Sequence, residues 1–357
     1  MKVAIAGAGI SGLACAYELE RYGIKPVILE KSHQAGEKII DAAAMISVLG
    51  RLHCDPLEYI NRKYKLSIAP LDTLREITIK CDRQEISVIG DLGYIFSRGR
   101  EENSFENQIA AMIRTPITFN EQVELDYIED RYDYVVAATG EESFAKEMGV
   151  WTLSFSSFVR VAAVLGSFRT DCIKIWLNTK YARNGYGYLI PCNSAKANLV
   201  LTVNDITYDE MDHYWMAFLE EEDLRYIITE TRDYESKIGK LKNVSVGNVC
   251  FVGNSGGFID DFFVFGMMGA VESGILAARS IAKDMDYNRL SRPLLKHAAR
   301  VSKLRNILNT YDNEDYIKVL SAIGRIPERE LTYKAPLFRP TAHGTVISKL
   351  QDLLKRR

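Results

Sequence analysis

Three glycines, spaced as Gly7-Ala8-Gly9-Ile10-Ser11-Gly12, carry the strongest chemical signal in the sequence. Between a strand and a helix, each glycine has its own task. Gly7 permits a tight turn off the strand, Gly9 lets the backbone come close to a pyrophosphate, and Gly12 lets helix and sheet pack closely. The helix behind them aims unpaired backbone N–H groups and a partial positive charge at the phosphates, so Ile10 and Ser11 belong to the same binding turn. Glu30 stands 18 residues beyond Gly12. A carboxylate there accepts hydrogen bonds from ribose hydroxyls and repels a 2′-phosphate, which disfavours NADP.

The surrounding pattern supplies the elements this turn needs. Val3 to Ala6 reads as a buried parallel strand, Leu13 to Tyr22 as a helix closed by Gly23, and Val27 to Leu29 as a second strand. The apolar start is not read as a secretory signal, because only Lys2 flanks it and glycines interrupt it. Helices are expected over 42–52, 56–64, 105–113 and 209–218, and a hairpin over 76–89. Buried strands are expected at 134–138 and 249–252, with further strands at 159–165, 173–177, 187–190 and 199–203. A long helix should follow over 267–284, and the chain beyond Pro293 reads as mostly helical with a basic end.

A length of 357 residues is more than one apolar core usually serves, so two lobes or a large insertion are expected. Apolar residues at 47% and charged residues at 26% are ordinary for a folded globular chain. A net charge of −2 gives no overall field to hold nucleic acid. The six scattered cysteines and five histidines show no zinc or dithiol spacing, which suits a reducing, cytoplasmic setting. No stretch is long and apolar enough to span a bilayer.

The choice between NAD and FAD turns on a second strand-plus-glycine element, Val252-Gly253-Asn254-Ser255-Gly256-Gly257, about 240 residues after the first. One NAD site does not require such a partner. FAD does, because its ribitol and flavin extend beyond the first mononucleotide half and need a distant segment to hold them. With these two elements the chain resembles the geranylgeranyl reductase family of the p-hydroxybenzoate hydroxylase-like flavoprotein superfamily. The resemblance runs over most of residues 1–290 as spaced motifs. Glu30 and Lys31 fit the ADP-binding start, and Ala35-Gly36-Glu37-Lys38 fits the segment leading to the flavin. Ser97-Arg98 followed by Phe105 to Met112 resembles the family's Arg-bearing helix start, and Asp133 to Gly140 its Ala-Asp-Gly strand. Tyr186 to Pro191 resembles the signature lining the substrate cavity, and Gly253 to Phe258 with Gly266 to Gly274 the flavin-side segment.

The resemblance implies an α/β fold: a discontinuous Rossmann-like FAD-binding domain with insertions (1–90, 91–150 and 240–290), an inserted antiparallel-sheet substrate domain (151–239) and a helical C-terminal region (291–357). It implies FAD contacts at Gly7, Gly9, Ile10, Ser11, Gly12, Glu30, Lys31, Lys38, Arg98, Val123, Ala138, Thr139, Gly140, Gly253, Asn254, Gly266, Met267 and Met268, and a substrate cavity at Tyr188 and Pro191. Departures stand beside it. The family's cysteine is absent from Lys38-Ile39-Ile40-Asp41, Asn254 replaces an aspartate, and Asp260-Asp261-Phe262-Phe263-Val264-Phe265 replaces the usual Pro-x-x-Gly stretch. The paired His53 and Cys54 lack a third catalytic partner and read as structural.

The function expected from this reading is FAD-dependent reduction of C=C bonds in a hydrophobic, isoprenoid-like substrate. The alternatives are an FAD-dependent monooxygenase and a flavin-binding protein without catalysis. NAD(P)H or a redox protein would supply electrons, with no metal, no nucleic acid and at most peripheral membrane contact.

Overall fold

The short apolar runs pair with one another to build the first of two sheets. The structure is a computed structural model, and it describes residues 1–37, 42–46, 54–259, 264 and 266–324; elements are numbered in chain order. Strands β1 (Val3–Ala6), β2 (Val27–Leu29), β6 (Ile117–Thr118), β7 (Tyr134–Ala137), β13 (Ser245–Val246) and β14 (Val249–Phe251) form a six-stranded sheet in the order β13-β14-β7-β1-β2-β6. All its pairings are parallel except β13 with β14.

Period-two alternation sends the β7 side chains to two cores. Val136 joins Ile5, Leu13 and Ile28 under helices α1 (Ile10–Arg21) and α8 (Met267–Lys283). Val135 and Ala137 join Leu125, Ile128 and Phe144 under α4 (Leu125–Glu129) and α5 (Ser143–Glu147). Both faces are therefore covered, as a parallel sheet requires. Helices α2 (Pro56–Tyr64) and α3 (Phe105–Ala110) add Ile60, Tyr64, Phe105 and Ile109 to the first core.

The second sheet holds β3 (Ala42–Ile46), β4 (Asp72–Cys81), β5 (Gln84–Ser97), β8 (Trp151–Leu165), β9 (Cys172–Trp176), β10 (Tyr186–Pro191), β11 (Lys196–Asn204) and β12 (Ile227–Leu241). Its order is β12-β8-β11-β10-β9-β4-β5-β3, antiparallel except between β4 and β9. One face is sealed by α6 (Thr179–Ala182) and α7 (Met211–Glu221). There Phe218 is fully buried with its ring 5.0–5.9 Å from those of Tyr181, Trp176 and Trp215. The other face looks into the interior cavity. Helix α9 (Tyr287–Leu308) packs on α8, and α10 (Asn313–Ile323) sets Tyr316 and Leu320 on Cys81 and Ile86 of the hairpin β4–β5.

Several expectations change. The helix expected over 42–52 is an edge strand in its described part: β3 pairs with β5, and the Ala42 amide donates to Asn198 Oδ1 at 2.9 Å. Ala and Met are good helix formers, but propensity is a weak guide, and pairing at an open sheet edge outweighs it. β12, to which no element had been assigned, pairs along its whole length with β8. Its polar, charged outer residues hide the apolar alternation that marks a strand. Residues 42–46 and 72–97 hydrogen-bond into the second sheet rather than the first. The helix after Ser104 ends at Ala110 rather than residue 113.

Truncating Phe218 to Ala should cost about 3–5 kcal/mol, since three aromatic neighbours and Gly187 close around it. Urea unfolding followed by circular dichroism would measure the loss.

Candidate active site

Strand β1 ends where its neighbours diverge: β2 lies on one side and β7 on the other. In a doubly wound sheet this switch point opens a crevice at the carboxyl ends of the strands. The glycine turn lies there. Gly7 has φ +111°, and a Cβ on it would sit 2.4 Å from the Ala138 carbonyl oxygen, so the turn presses against the end of β7. A Cβ on Gly12 would lie 2.0 Å from the Gly7 carbonyl oxygen, which fixes how closely α1 follows the turn. Gly9 differs: a Cβ there meets nothing within 4 Å and would project into open space. Helix α1 starts at Gly9 with no side-chain cap and no acidic residue in its first turn.

The second glycine element meets the first directly. A Cβ on Gly253 would stand 2.6 Å from Ser11 Oγ, and the Gly253 amide donates to Ser273 Oγ of α8 at 2.9 Å. Ser255 Oγ lies 2.7 Å from the Ala137 carbonyl it donates to, tying the same loop to β7. The Asn254 side chain lies beside Gly266, where α8 also begins without a side-chain cap or a first-turn acid. Two uncapped helix starts thus frame one space.

That space is a continuous cavity of about 690 Å³, within the range of cofactor and ligand sites. Gly7, Gly9, Ile10, Ser11, Glu30, Lys31, Arg98, Val123, Ala138, Thr139, Gly140, Gly253, Asn254, Gly266, Met267 and Tyr188 all line it. Three expected residues do not. Gly12 serves the packing of α1 on the turn, and Met268 packs into the core beneath α8. Pro191 is an odd number of positions from Tyr188, so strand alternation puts it on the face of Gly187 and Leu189, under α7. Lys38, Asp41, His53, Asp260, Asp261, Phe262, Phe263, Phe265 and everything beyond residue 324 lie outside the described residues.

Glu30 is 8% exposed, and its two oxygens accept from the Ala8 amide at 2.6 Å and the Ser32 amide at 2.9 Å. The carboxylate braces the glycine turn while keeping lone pairs for a ribose hydroxyl. Arg98 forms a close ion pair with fully buried Glu106 (2.6 Å), whose side chain fills the place a Cβ on Gly36 would need. Lys31 pairs with Glu141 at 2.8 Å, closing the rim between the ends of β2 and β7. Lys237 of β12 bonds Glu142 and Glu235, and these partners hold its ammonium above the usual lysine range. Burial pushes the Glu142 carboxyl up, but hydrogen bonds from its own amide, Lys146 and Lys237 outweigh it and leave the group lowered. Glu147 is raised, by burial first and then by Asp126 and Glu124.

Sequence reasoning missed the opposite wall. Val159, Ile173, Ile175, Ile190, Thr202 and Tyr234 face the cavity together with Tyr186 and Tyr188, whose rings lie 5.7 Å apart. The signal was present as strand alternation: Ile173 and Ile175 point in, and Trp176 points to the α7 side. What the alternation did not reveal is which face of the sheet looks toward the glycine turn. The cysteines take no part in this chemistry. Cys15, Cys81, Cys172 and Cys250 are free thiols, and burial pushes Cys250 up to about 11. Among the described residues no His, Cys, Asp and Glu cluster could hold a metal.

The residues present fit FAD. The open space over Gly9 and the bare α1 start suit its diphosphate, Glu30 its ribose, and the α8 start an electron-rich ring edge. Gly9→Val should fill that space, leaving a folded protein whose bound flavin falls by about tenfold or more. Gly12→Ala should instead destabilise the fold by about 1–3 kcal/mol through its clash with the turn. Absorbance near the flavin band and thermal unfolding, measured on both variants, separate the two effects.

Residues 2–116 match the family described as FAD dependent oxidoreductase. Among solved structures, a geranylgeranyl bacteriochlorophyll reductase-like protein from Thermoplasma acidophilum is similar at TM-score 0.73 and 16% identity, over 99% of this chain and 98% of that one. A flavoprotein/dehydrogenase from Cytophaga hutchinsonii matches at TM-score 0.68 and 13% identity, over 99% of each chain. The flavin-dependent halogenase CmlS matches at TM-score 0.59 and 14% identity, over 99% of this chain and 70% of that one. Residues 2–116 are thus similar to FAD-dependent oxidoreductases, the whole chain has the fold seen in FAD flavoproteins, and the cofactor these likenesses indicate is FAD.

Proposed function

We propose that the protein reduces C=C bonds of a hydrophobic, isoprenoid-like substrate. The observation that carries this reading is the apolar wall of β8, β9 and β10, which shares one cavity with the glycine turn and the α8 start. Bound FAD supplies hydride and electron transfer. The chain's own residues position, exclude water and manage protons. Val159, Ile173, Ile175 and Ile190 offer a surface that holds an apolar chain and keeps water from it. Tyr186, Tyr188 and Tyr234 place hydroxyl groups on that wall, and one of them or a water molecule is the proton source for the carbon opposite the hydride acceptor. The positive end of α8 near Met267 would favour negative charge on a cofactor group held beside it.

The likeness to a reductase-like protein over nearly the full length supports the reading, while the likeness to a halogenase makes oxygen the variable to control. NAD(P)H or a redox protein is the proposed electron donor.

Protein reduced anaerobically with dithionite should be reoxidised by an unsaturated polyprenyl compound, which gains two hydrogens, with no need for oxygen. Strict oxygen dependence would assign a monooxygenase instead, and flavin that accepts no electrons would assign a non-catalytic protein. Ile175→Asp should lower kcat/KM for the polyprenyl compound about 10–100-fold and leave the flavin spectrum unchanged.

A further inference from the structure

Charge is distributed very unevenly along this near-neutral chain. Residues 287–357 hold 15 Lys and Arg against 6 Asp and Glu, whereas residues 1–286 hold 30 against 41. Such asymmetry signals contact with a charged surface. The described part of the basic segment begins with α9, a helix of 22 residues, Tyr287–Leu308, in which every charged residue is basic.

The helix is two-sided. Tyr287 and Val301 are buried, and Leu294 and Leu295 pack against the core shared with α1 and α8. On the opposite side Arg289, Arg292, Lys296 and Arg300 are all exposed, at helical spacings of three and four. They form a straight stripe about 16 Å long. None of the four is ion-paired among the described residues, although carboxylates neutralise most other prominent cations, from Lys31 to Arg279. Asp286 caps the helix start, and with Asp284 stands at one end of the stripe rather than along it.

We propose that this face of α9 docks the protein on an anionic phospholipid bilayer. The apolar side of the helix is already used against the core, so attachment is electrostatic and peripheral rather than inserted. A straight row of cations on a rigid rod matches a plane of phosphates. A bilayer is also where a polyprenyl substrate resides, and to that extent the inference rests on the proposed substrate class. Vesicle binding is read without turnover, so the two can fail separately.

The full-length, flavin-loaded protein should sediment with vesicles of phosphatidylcholine containing about 30% phosphatidylglycerol at low salt, and should be released by about 0.5 M NaCl. The combined variant R289Q/R292Q/K296Q/R300Q should partition about 100-fold or more weakly, with unchanged flavin absorbance showing that it is folded. Three results would overturn the proposal. They are no binding by the unmodified protein, equal binding to pure phosphatidylcholine, and undiminished binding by the variant. Salt-sensitive binding to an acidic electron-carrier protein without vesicle binding would assign the stripe to a protein partner and equally overturn it.

Discussion

The contact between Gly253 and Ser11 is the constraint on which the rest of the molecule depends. It joins two segments about 240 residues apart in the sequence, and only a glycine lets the second loop lie against the serine of the first. Once they meet, the ends of β1 and β7, the start of α1 and the start of α8 surround one space. Hydrogen bonds from Gly253 to Ser273 and from Ser255 to Ala137 hold the loop from two sides. Small residues elsewhere serve the same end: a Cβ on Gly274 would sit 2.1 Å from the Ser11 carbonyl, so α8 reaches α1 only with glycine at that crossing.

The cavity so formed is chemically two-ended. Its glycine side is lined by carboxylates, of which Glu30 is tied to backbone amides and Glu106, Glu141 and Glu142 to Arg98, Lys31 and Lys237. Its sheet side is apolar with tyrosines among the aliphatics. Fixed dipoles at two helix starts add positive potential where the side chains supply little net charge of that sign. Such a division suits a ligand whose polar half and whose reacting, less polar half are handled by different layers of the protein.

Legibility in the sequence followed how local each feature is. The turn from Gly7 to Gly12, its helix and Glu30 span a short stretch whose geometry the backbone itself enforces, and they lie where their spacing places them. Arg98 lines the cavity, and its partner Glu106 leaves no periodic trace in the sequence, because an ion pair across a turn follows no repeat. Pro191 was assigned to the cavity by its place in a motif. Strand alternation, read strictly from Tyr188, would have put it on the far face. β12 escaped notice because an edge strand carries charges where a central one carries valines.

By itself the sequence determined an N-terminal glycine turn between strand and helix, with an acid at the end of the next strand and a second strand-plus-glycine element far along the chain. Those features depend on φ angles, missing side chains and short-range register, all written residue by residue. Only the tertiary structure decided that strands from residues 42–97 cross over to complete the second sheet, and which face of that sheet looks inward. Pairing between distant strands is settled by the shared burial of their side chains. Any one segment holds only half of that information.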